Sequence, residues 1–298
     1  MLNYLCFFRE RGWTPIDAAA YATAWRRFGG SVMTHPQIVE RLSDLAGIPV
    51  RYLGWFAGGE ILAALPAWGR YLALSKEALA RSGKKKLFDL GNAEIILPVA
   101  KNARISLRHR ARYLSEVSGD RISGARRQDE TLAMSRPPDE LSGKFRYNQR
   151  RELRLLEKAG GVFCPVTDLT PEDRALIYAD LFQRRWGIEA PGKKHLSEVF
   201  GLLREFMCGS LITLGGKPVA IQILYRVESP EWISIEYING GVAPEARDLS
   251  PGSVLSFVNT QEAWAEARAL GKNLRYSFGR ADREYKDRWS RHAPVYQV

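Results

Sequence analysis

The sequence predicts an α+β fold in which helices flank mixed, mainly antiparallel sheets, and three observations predict it. The 298 residues are 45% hydrophobic and 11% aromatic, with eight Trp, the make-up of a chain with a packed core and not of a disordered one. Glycine-marked turns separate neighbouring β-rich runs, as in a meander. In the second half the order helix, helix, three strands, helix, strand is that of mixed α+β, with the sheet covered by helices. The length suits two domains of ordinary size or one large one.

Taken in order, Pro15, Ala18–Ala22 and Trp25 suggest a first helix, and Thr34 with Pro36 starts a second over His35–Leu45. Val50–Phe56 and Glu60–Leu65 are β-rich runs joined by Ala57-Gly58-Gly59, a hairpin signature. A short strand is expected around Ile95 and Ile96, within Phe88–Leu97. From Ser115 to Gly143 the apolar periodicity fades and no element is expected, so the domain boundary is set at residue 140. This gives a lobe over 1–140 and a second over 141–298.

The second lobe opens with a basic helix at Ser142–Ala159 and a strand near Val162–Val166. A helix then starts at Thr170-Pro171-Glu172-Asp173, where a cap, a first-turn proline and early acids coincide. A further helix covers Leu196–Met207. Ser210–Leu214, Lys217–Tyr225 and Trp232–Tyr237 read as a three-strand meander, a long helix spans Pro251–Ala269, and Asn273–Phe278 is a strand. Tyr285 and Trp289, four apart, either anchor a last helix or belong to a ligand-binding segment.

The formal net charge of +11 predicts a surface that attracts anions: nucleic acid, phosphorylated substrates or an acidic lipid face. Cations crowd Lys101–Lys158, whereas Thr167–Leu181 leans acidic. Cys6, Cys164 and Cys208 are odd in number and widely spaced, which argues against a disulfide framework and a zinc site and for a reducing compartment. The start MLNYLCFFRERGW lacks the basic lead and long apolar core of a signal peptide, and no run approaches the roughly 20 apolar residues of a spanning helix. A soluble or peripheral protein is expected.

Three segments carry chemistry. In KFRYNQRRELR (Lys144–Arg154) and the residues after it, Arg146, Arg150, Arg154 and Lys158 recur every four positions and line one helical face, either a solvated face or a stripe for an anion. In LSPGSVL, Ser250 can cap, Pro251 fits the first turn, and Gly252 and Ser253 leave amides open; this is a well-formed cap or a phosphate site. RYSFGRADREYKDRW (Arg275–Trp289) sets Arg275, Arg280, Arg283, Lys286 and Arg288 among Tyr276, Phe278, Tyr285 and Trp289, aromatic walls beside cations that suit phosphate or carboxylate. Glu236, in ISIEYINGG, is either a paired carboxylate or a proton acceptor for an amine. No P-loop, HExxH, GxSxG or dinucleotide fingerprint is present, and His35, His109, His195 and His292 lack metal-ligand spacing, so no metal is expected.

Together KFRYNQRRELRLLEKAGG, DLFQRRWG (Asp180–Gly187), EYINGG (Glu236–Gly241), SPGSVL and YSFGRADREYKDRW resemble, in order, the Mig-14-like family of Gram-negative bacteria. That resemblance implies a two-lobed GNAT/FemABX-like fold with a degenerate first lobe, an inner-membrane association, and a part in resistance to cationic antimicrobial peptides. It further implies transfer of an acyl or aminoacyl group to an amine or hydroxyl, with acyl-CoA or aminoacyl-tRNA as donor. The acceptor it implies is an anionic glycolipid or phosphorylated sugar, such as lipopolysaccharide core or a precursor, met on the cytoplasmic side.

By the same resemblance Lys286 matches the lysine of the Fem-type aromatic-lysine element and becomes the first catalytic candidate; Glu236, by its place in the strand ISIEYINGG, is the candidate proton acceptor beside it. Arg280, Tyr285 and Tyr276 fall on the substrate side. Ser250, Gly252 and Ser253 correspond to the place where GNAT folds hold a cofactor pyrophosphate, with Arg146, Arg150 and Arg154 alongside. The usual GNAT signature, Arg or Gln followed by xxGxG/A, has no clear counterpart. The rival expectation is a non-catalytic basic protein that docks on anionic lipid or nucleic acid.

Overall fold

A computed structural model describes residues 10–298; Cys6 and most of the segment bearing on a signal peptide lie outside the described residues. The first part contains β1 (Trp13–Ile16), α1 (Ala18–Phe28), α2 (Pro36–Ala46), β2 (Arg51–Ala57), β3 (Glu60–Trp68), β4 (Tyr71–Leu72) and α3 (Lys76–Arg81). β5 (Ile105–Ser106), β6 (Leu114–Ser115), α4 (Glu116–Gly119), β7 (Ile122–Ser123) and β8 (Arg126–Ser135) follow. Next come α5 (Gly143–Lys158), β9 (Gly161–Pro165), α6 (Pro171–Trp186), α7 (Leu196–Leu202), β10 (Met207–Cys208), β11 (Ser210–Leu214), β12 (Lys217–Glu228) and β13 (Trp232–Val242). The chain ends in α8 (Pro251–Ala269), β14 (Asn273–Arg280), α9 (Glu284–Asp287) and β15 (Ser290–Gln297).

Local chemistry accounts for most boundaries. Ser142 Oγ accepts from Phe145 N at the head of α5 (3.2 Å), and Thr170 Oγ1 from Asp173 N at the head of α6 (3.1 Å). Gly58 and Gly59 take positive φ in the β2–β3 turn, as the hairpin requires. Four expectations are corrected. Pro15 lies in β1, and the first helix starts only at Ala18, capped by Asp17. Ile95 and Ile96 form no strand, only an isolated bridge from Ile95 to Leu114. The expected helix through Met207 ends at Leu202, followed by a single 3-10 turn.

The largest correction is β8, ten residues long within the stretch expected to hold no element. Its first half, Arg126–Glu130, is polar because much of it stays exposed, and its partners are far away in sequence. β8 lies between β14 and β15, so the main sheet runs β6-β15-β8-β14-β13-β12-β11-β9 and draws strands from both sides of residue 140. Only the β13–β14 pair in that sheet is parallel, joined by the crossover helix α8. A separate antiparallel sheet, β1-β2-β3-β4, belongs to the first part.

The centre of the main sheet, β12 to β14, is buried on both faces. Phe257 and Ala263 of α8 pack on one face with Tyr276 and Phe278, while Leu181 and Phe182 of α6 join the core on the other. Gly241 permits that approach, since a Cβ there would collide with Leu181. The first part docks on the α6 face of the sheet: Trp232 Nε1 donates to Gly30 O (2.8 Å), Glu94 N to Glu236 Oε1 (2.9 Å), and Arg275 Nε to Glu94 Oε2 (2.7 Å).

Candidate active-site cleft

The central parallel pair comes apart, and that divergence makes the site. β13 and β14 are in register from Trp232↔Asn273 to Glu236↔Ser277. Beyond that point β13 stays with β12 as far as Val242, whereas β14 passes through an irregularity and runs on beside β8, Arg280 opposite Leu132. The gap opens into a cavity of about 340 Å³, walled by Tyr237 and Val242 from β13, Phe278 from β14, Trp289, and the first turn of α8 from Ser250 to Ser253.

The α8 start differs from the expected cap. Ser250 is left-handed (φ 49°, ψ 41°) and its side chain makes no capping bond; its carbonyl instead accepts from Val254 N (3.1 Å). Such a conformation costs a non-glycine residue roughly 1–2 kcal/mol and is held here by the turn Pro244–Leu249 before it. With no side chain over them, the first-turn amides of Gly252 and Ser253 stay open at the cavity wall, at the positive end of a 19-residue helix.

A buried polar chain fixes that helix start. Gln222 Nε2 donates to Gly252 O (3.2 Å) and Ser256 Oγ (2.9 Å), Asn259 Nδ2 donates to Gln222 Oε1 (2.8 Å), and Ser210 Oγ donates to Asn259 Oδ1 (2.9 Å). Gln222→Leu strands the Asn259 amide and is expected to cost about 1–3 kcal/mol. Urea unfolding measures it, and an unchanged midpoint would contradict the role given to this chain.

Two cations line the same cavity. Arg247 is exposed and, among the described residues, has no ion-pair partner. Arg185, at the end of α6, donates to Gly240 O (3.2 Å) and stacks its guanidinium 4.5 Å from the Trp186 ring centroid. Burial pushes the Tyr237 phenol upward, against the pull of Arg185, so it is protonated at neutral pH. The cavity thus offers two guanidiniums and open amides for an anion, and one phenol that can donate a proton.

Of the residues singled out in the sequence, Ser250, Gly252 and Ser253 line this cavity. Arg146, Arg150 and Arg154 do not; they lie on α5, which packs against α8 and reaches the cavity wall through Phe145, edge-on to Trp289 at 4.9 Å. Lys286 is turned away, its Nζ donating to Arg280 O (2.6 Å) and Asp282 Oδ1 (3.3 Å). Arg280 is held by Glu130 (3.0 Å) and Asp282 (3.2 Å). Tyr276 is buried beneath α8, and Tyr285 sits in α9, its side chain outside those described. Sequence reasoning missed Arg185, Gln222 and Arg247 as site residues, although Arg185 lies inside the DLFQRRWG block.

Glu236 occupies the opposite face of the sheet. It is buried against the first part, its Oε1 accepting from Glu94 N. Burial, then the Glu94 charge, push its carboxyl well above the ordinary range, while the Glu94 amide and the Ser277 hydroxyl pull the other way. The folded state therefore retains a proton that the unfolded chain releases above its ordinary value of 4.5. Stability from this group is complete below that value and is lost as pH rises through the folded pKa. Glu236→Gln keeps an acceptor for the Glu94 amide, so its Tm should match wild type near pH 4 and exceed it at pH 8. A Tm lowered equally at both would contradict this.

Among the described residues no group of His, Cys, Asp or Glu is arranged to hold a metal, and no helix is long and apolar enough to cross a membrane. Cys164 and Cys208 are free; burial pushes both thiols upward, Cys208 to about 12, so neither is a thiolate at neutral pH.

The fold is that of known proteins. FemX matches it with a TM-score of 0.56 at 11% identity, over 96% of each chain. The C-terminal domain of a putative lysylphosphatidylglycerol synthetase from Agrobacterium fabrum matches with a TM-score of 0.50 at 14% identity, over 94% of this chain and 90% of that one. The fold is α+β, of the two-lobed GNAT/Fem-like class. A comparison with curated protein sequences found no match. The Mig-14 family model matches residues 35–298, and the chain belongs to that family.

Proposed function

We propose that this protein is an acyl- or aminoacyl-transferase that modifies an anionic envelope glycolipid, lipopolysaccharide core or its precursor, and so contributes to resistance to cationic antimicrobial peptides. The observation that carries the reading is the splay of β13 and β14 beyond Glu236 and Ser277, which sets the open α8 amides and Arg247 around one cavity. Phosphate groups of the donor, acyl-CoA or aminoacyl-tRNA, bind at Gly252, Ser253 and Arg247. The lobe of residues 141–298 supplies the cleft, and that of 1–140 supports it. In keeping with this, one fold relative is described as a lysylphosphatidylglycerol synthetase.

In the reaction, the acceptor amine or hydroxyl attacks the donor carbonyl, whose oxygen becomes an oxyanion facing the cations of the cavity. The bond to the leaving thiolate or ribose oxygen then breaks. Tyr237 donates its proton to that leaving atom and regains one from the attacking group through solvent, with no covalent enzyme intermediate. Lys286, held on the turn after β14, positions Trp289 at the cavity wall. A neutral or amine-bearing addition lowers the negative surface charge and with it the attraction of cationic peptides. The protein works in the cytoplasm, peripheral to the inner membrane.

A second reading, a non-catalytic basic protein bound to anionic lipid or nucleic acid, draws on one observation: Lys286 and Glu236 both lie outside the cavity. Mass spectrometry of lipopolysaccharide from cells with and without the gene, and with Lys286→Ala or Tyr237→Phe, separates the two. A gene-dependent mass increment supports transfer; an identical glycan in every strain contradicts it.

A further inference from the structure

A second, apolar cavity lies away from the cleft, where the first part meets the loop between α6 and α7. It measures about 200 Å³ and is walled by Met33, Leu74, Leu79, Phe88, Leu90 and Pro191. Phe88 and Pro191 also wall a smaller chamber that reaches in to Val199 and Ile223. A hollow of this size with mainly apolar walls is suited to an apolar chain.

Its mouth is cationic. Lys85 lines the cavity itself, and Lys86, Lys193 and Lys194 line the adjoining surface hollow with Pro191. Lys84, Lys85 and Lys86 are consecutive and exposed, and among the described residues neither they nor Lys194 has an ion-pair partner. Lys76 and Lys193 have Asp89 (3.7 Å) and Glu189 (3.4 Å) as neighbours. The loop that supplies Pro191 to the cavity wall carries Ile188 and follows Trp186 at the end of α6, the two exposed to 62% and 40%. Exposed aromatic and aliphatic side chains, unpaired lysines and an apolar hollow behind them match the layers of a bilayer surface: interface, phosphate and acyl chain.

We propose that this face docks on a bilayer of anionic phospholipid, with Lys84, Lys85, Lys86 and Lys194 on the phosphates, Trp186 and Ile188 in the interface, and an acyl chain of one lipid entering the cavity between Leu79, Phe88 and Pro191. It rests on the reading that the acceptor is membrane-borne, and it names the surface that brings the protein to it. Binding is measured without any donor, so it stands or fails separately from group transfer.

The test is flotation of the full chain with phosphatidylcholine vesicles, with and without phosphatidylglycerol, alongside titration with a short-chain phosphatidylglycerol kept below its micelle concentration. Wild type is expected to float only with the anionic vesicles. The exposed Lys84→Glu/Lys85→Glu/Lys86→Glu variant should bind them about 100-fold more weakly or worse, and Ile188→Asp should also bind more weakly. Leu79→Trp, which fills the cavity, should still float but lose the monomeric lipid; if it does not fold, the lysine and Ile188 variants decide. Equal flotation with both vesicle types, wild-type binding by the triple variant, or wild-type uptake of monomeric lipid by folded Leu79→Trp would overturn the proposal. So would a triple variant that loses tRNA binding and keeps vesicle binding, since the face would then serve RNA.

Discussion

Replacing Arg275 by Met should lower folding stability by about 3–5 kcal/mol, because it leaves the Glu94 carboxylate buried without its countercharge. Glu94 is 2% exposed, is gripped by both the Nε and an Nη of Arg275, and accepts from Ser115 Oγ (2.6 Å). Burial opposes the Arg275 charge, yet the facing Glu94 more than offsets it and raises the guanidinium above its ordinary value. This pair ties the first part of the chain to β14, so its loss loosens the support behind the splayed strands. Urea unfolding gives the number, and the double variant Arg275→Met/Glu94→Gln should recover a substantial part of the loss. A single-variant loss below about 1 kcal/mol, the value of an exposed pair, would show that the two charges do not depend on one another.

The second large effect is on donor binding. Arg247→Ala removes an exposed cation that has no ion-pair partner among the described residues, so stability should change by less than about 0.5 kcal/mol. If the cavity holds donor phosphate, the Kd should rise about tenfold or more, the value of one charge-assisted bond. Ser253→Asp sharpens the contrast. An acid in the first turn of α8 favours the helix by about 0.3–1 kcal/mol, while it repels an anion from the amides of Gly252 and Ser253. A variant that melts no lower than wild type yet no longer binds donor would separate the anion site from the fold. Donor binding indifferent to both substitutions would move the donor elsewhere.

The sequence revealed the elements whose causes are local. Ser142 and Thr170 cap α5 and α6 as their types predict, Gly58-Gly59 turns the first hairpin, and Pro251-Gly252 opens α8. It concealed β8 and β15, whose pairing with each other spans Arg126↔Gln297 to Ser135↔Ser290 and leaves no local trace. Pro294 and the charged Arg291 argue against a strand, and the ladder accommodates the proline with a register shift beside it. The candidate cavity was legible in the same measure. Ser250–Ser253 stood out because helix starts are written in Pro, Gly and Ser, whereas Arg247 and Gln222 join its wall only where two strands part.

The terminal motif YSFGRADREYKDRW shows the limit of composition from the other side. Its density of cations and aromatics suggested substrate contact, but Arg275 serves the buried Glu94, Arg280 serves Glu130, and Lys286 folds back on the Arg280 carbonyl. Among the described side chains of that run, Phe278 and Trp289 reach the cavity. Charge spacing alone does not distinguish a cation waiting for a ligand from one already paired. The basic stripe of α5, by contrast, carries no ion pair among the described residues and flanks the cavity through Phe145 and Trp289.

The most direct test of the central claim is transfer itself, with purified protein, a lipid extract containing lipopolysaccharide, and labelled donors supplied separately as acyl-CoA or charged tRNA. The cleft reading predicts that label from one donor enters the glycolipid fraction, and that Arg247→Ala and Tyr237→Phe, both folded, reduce its rate at least tenfold. No label from either donor, or label that enters equally with both variants, would contradict it.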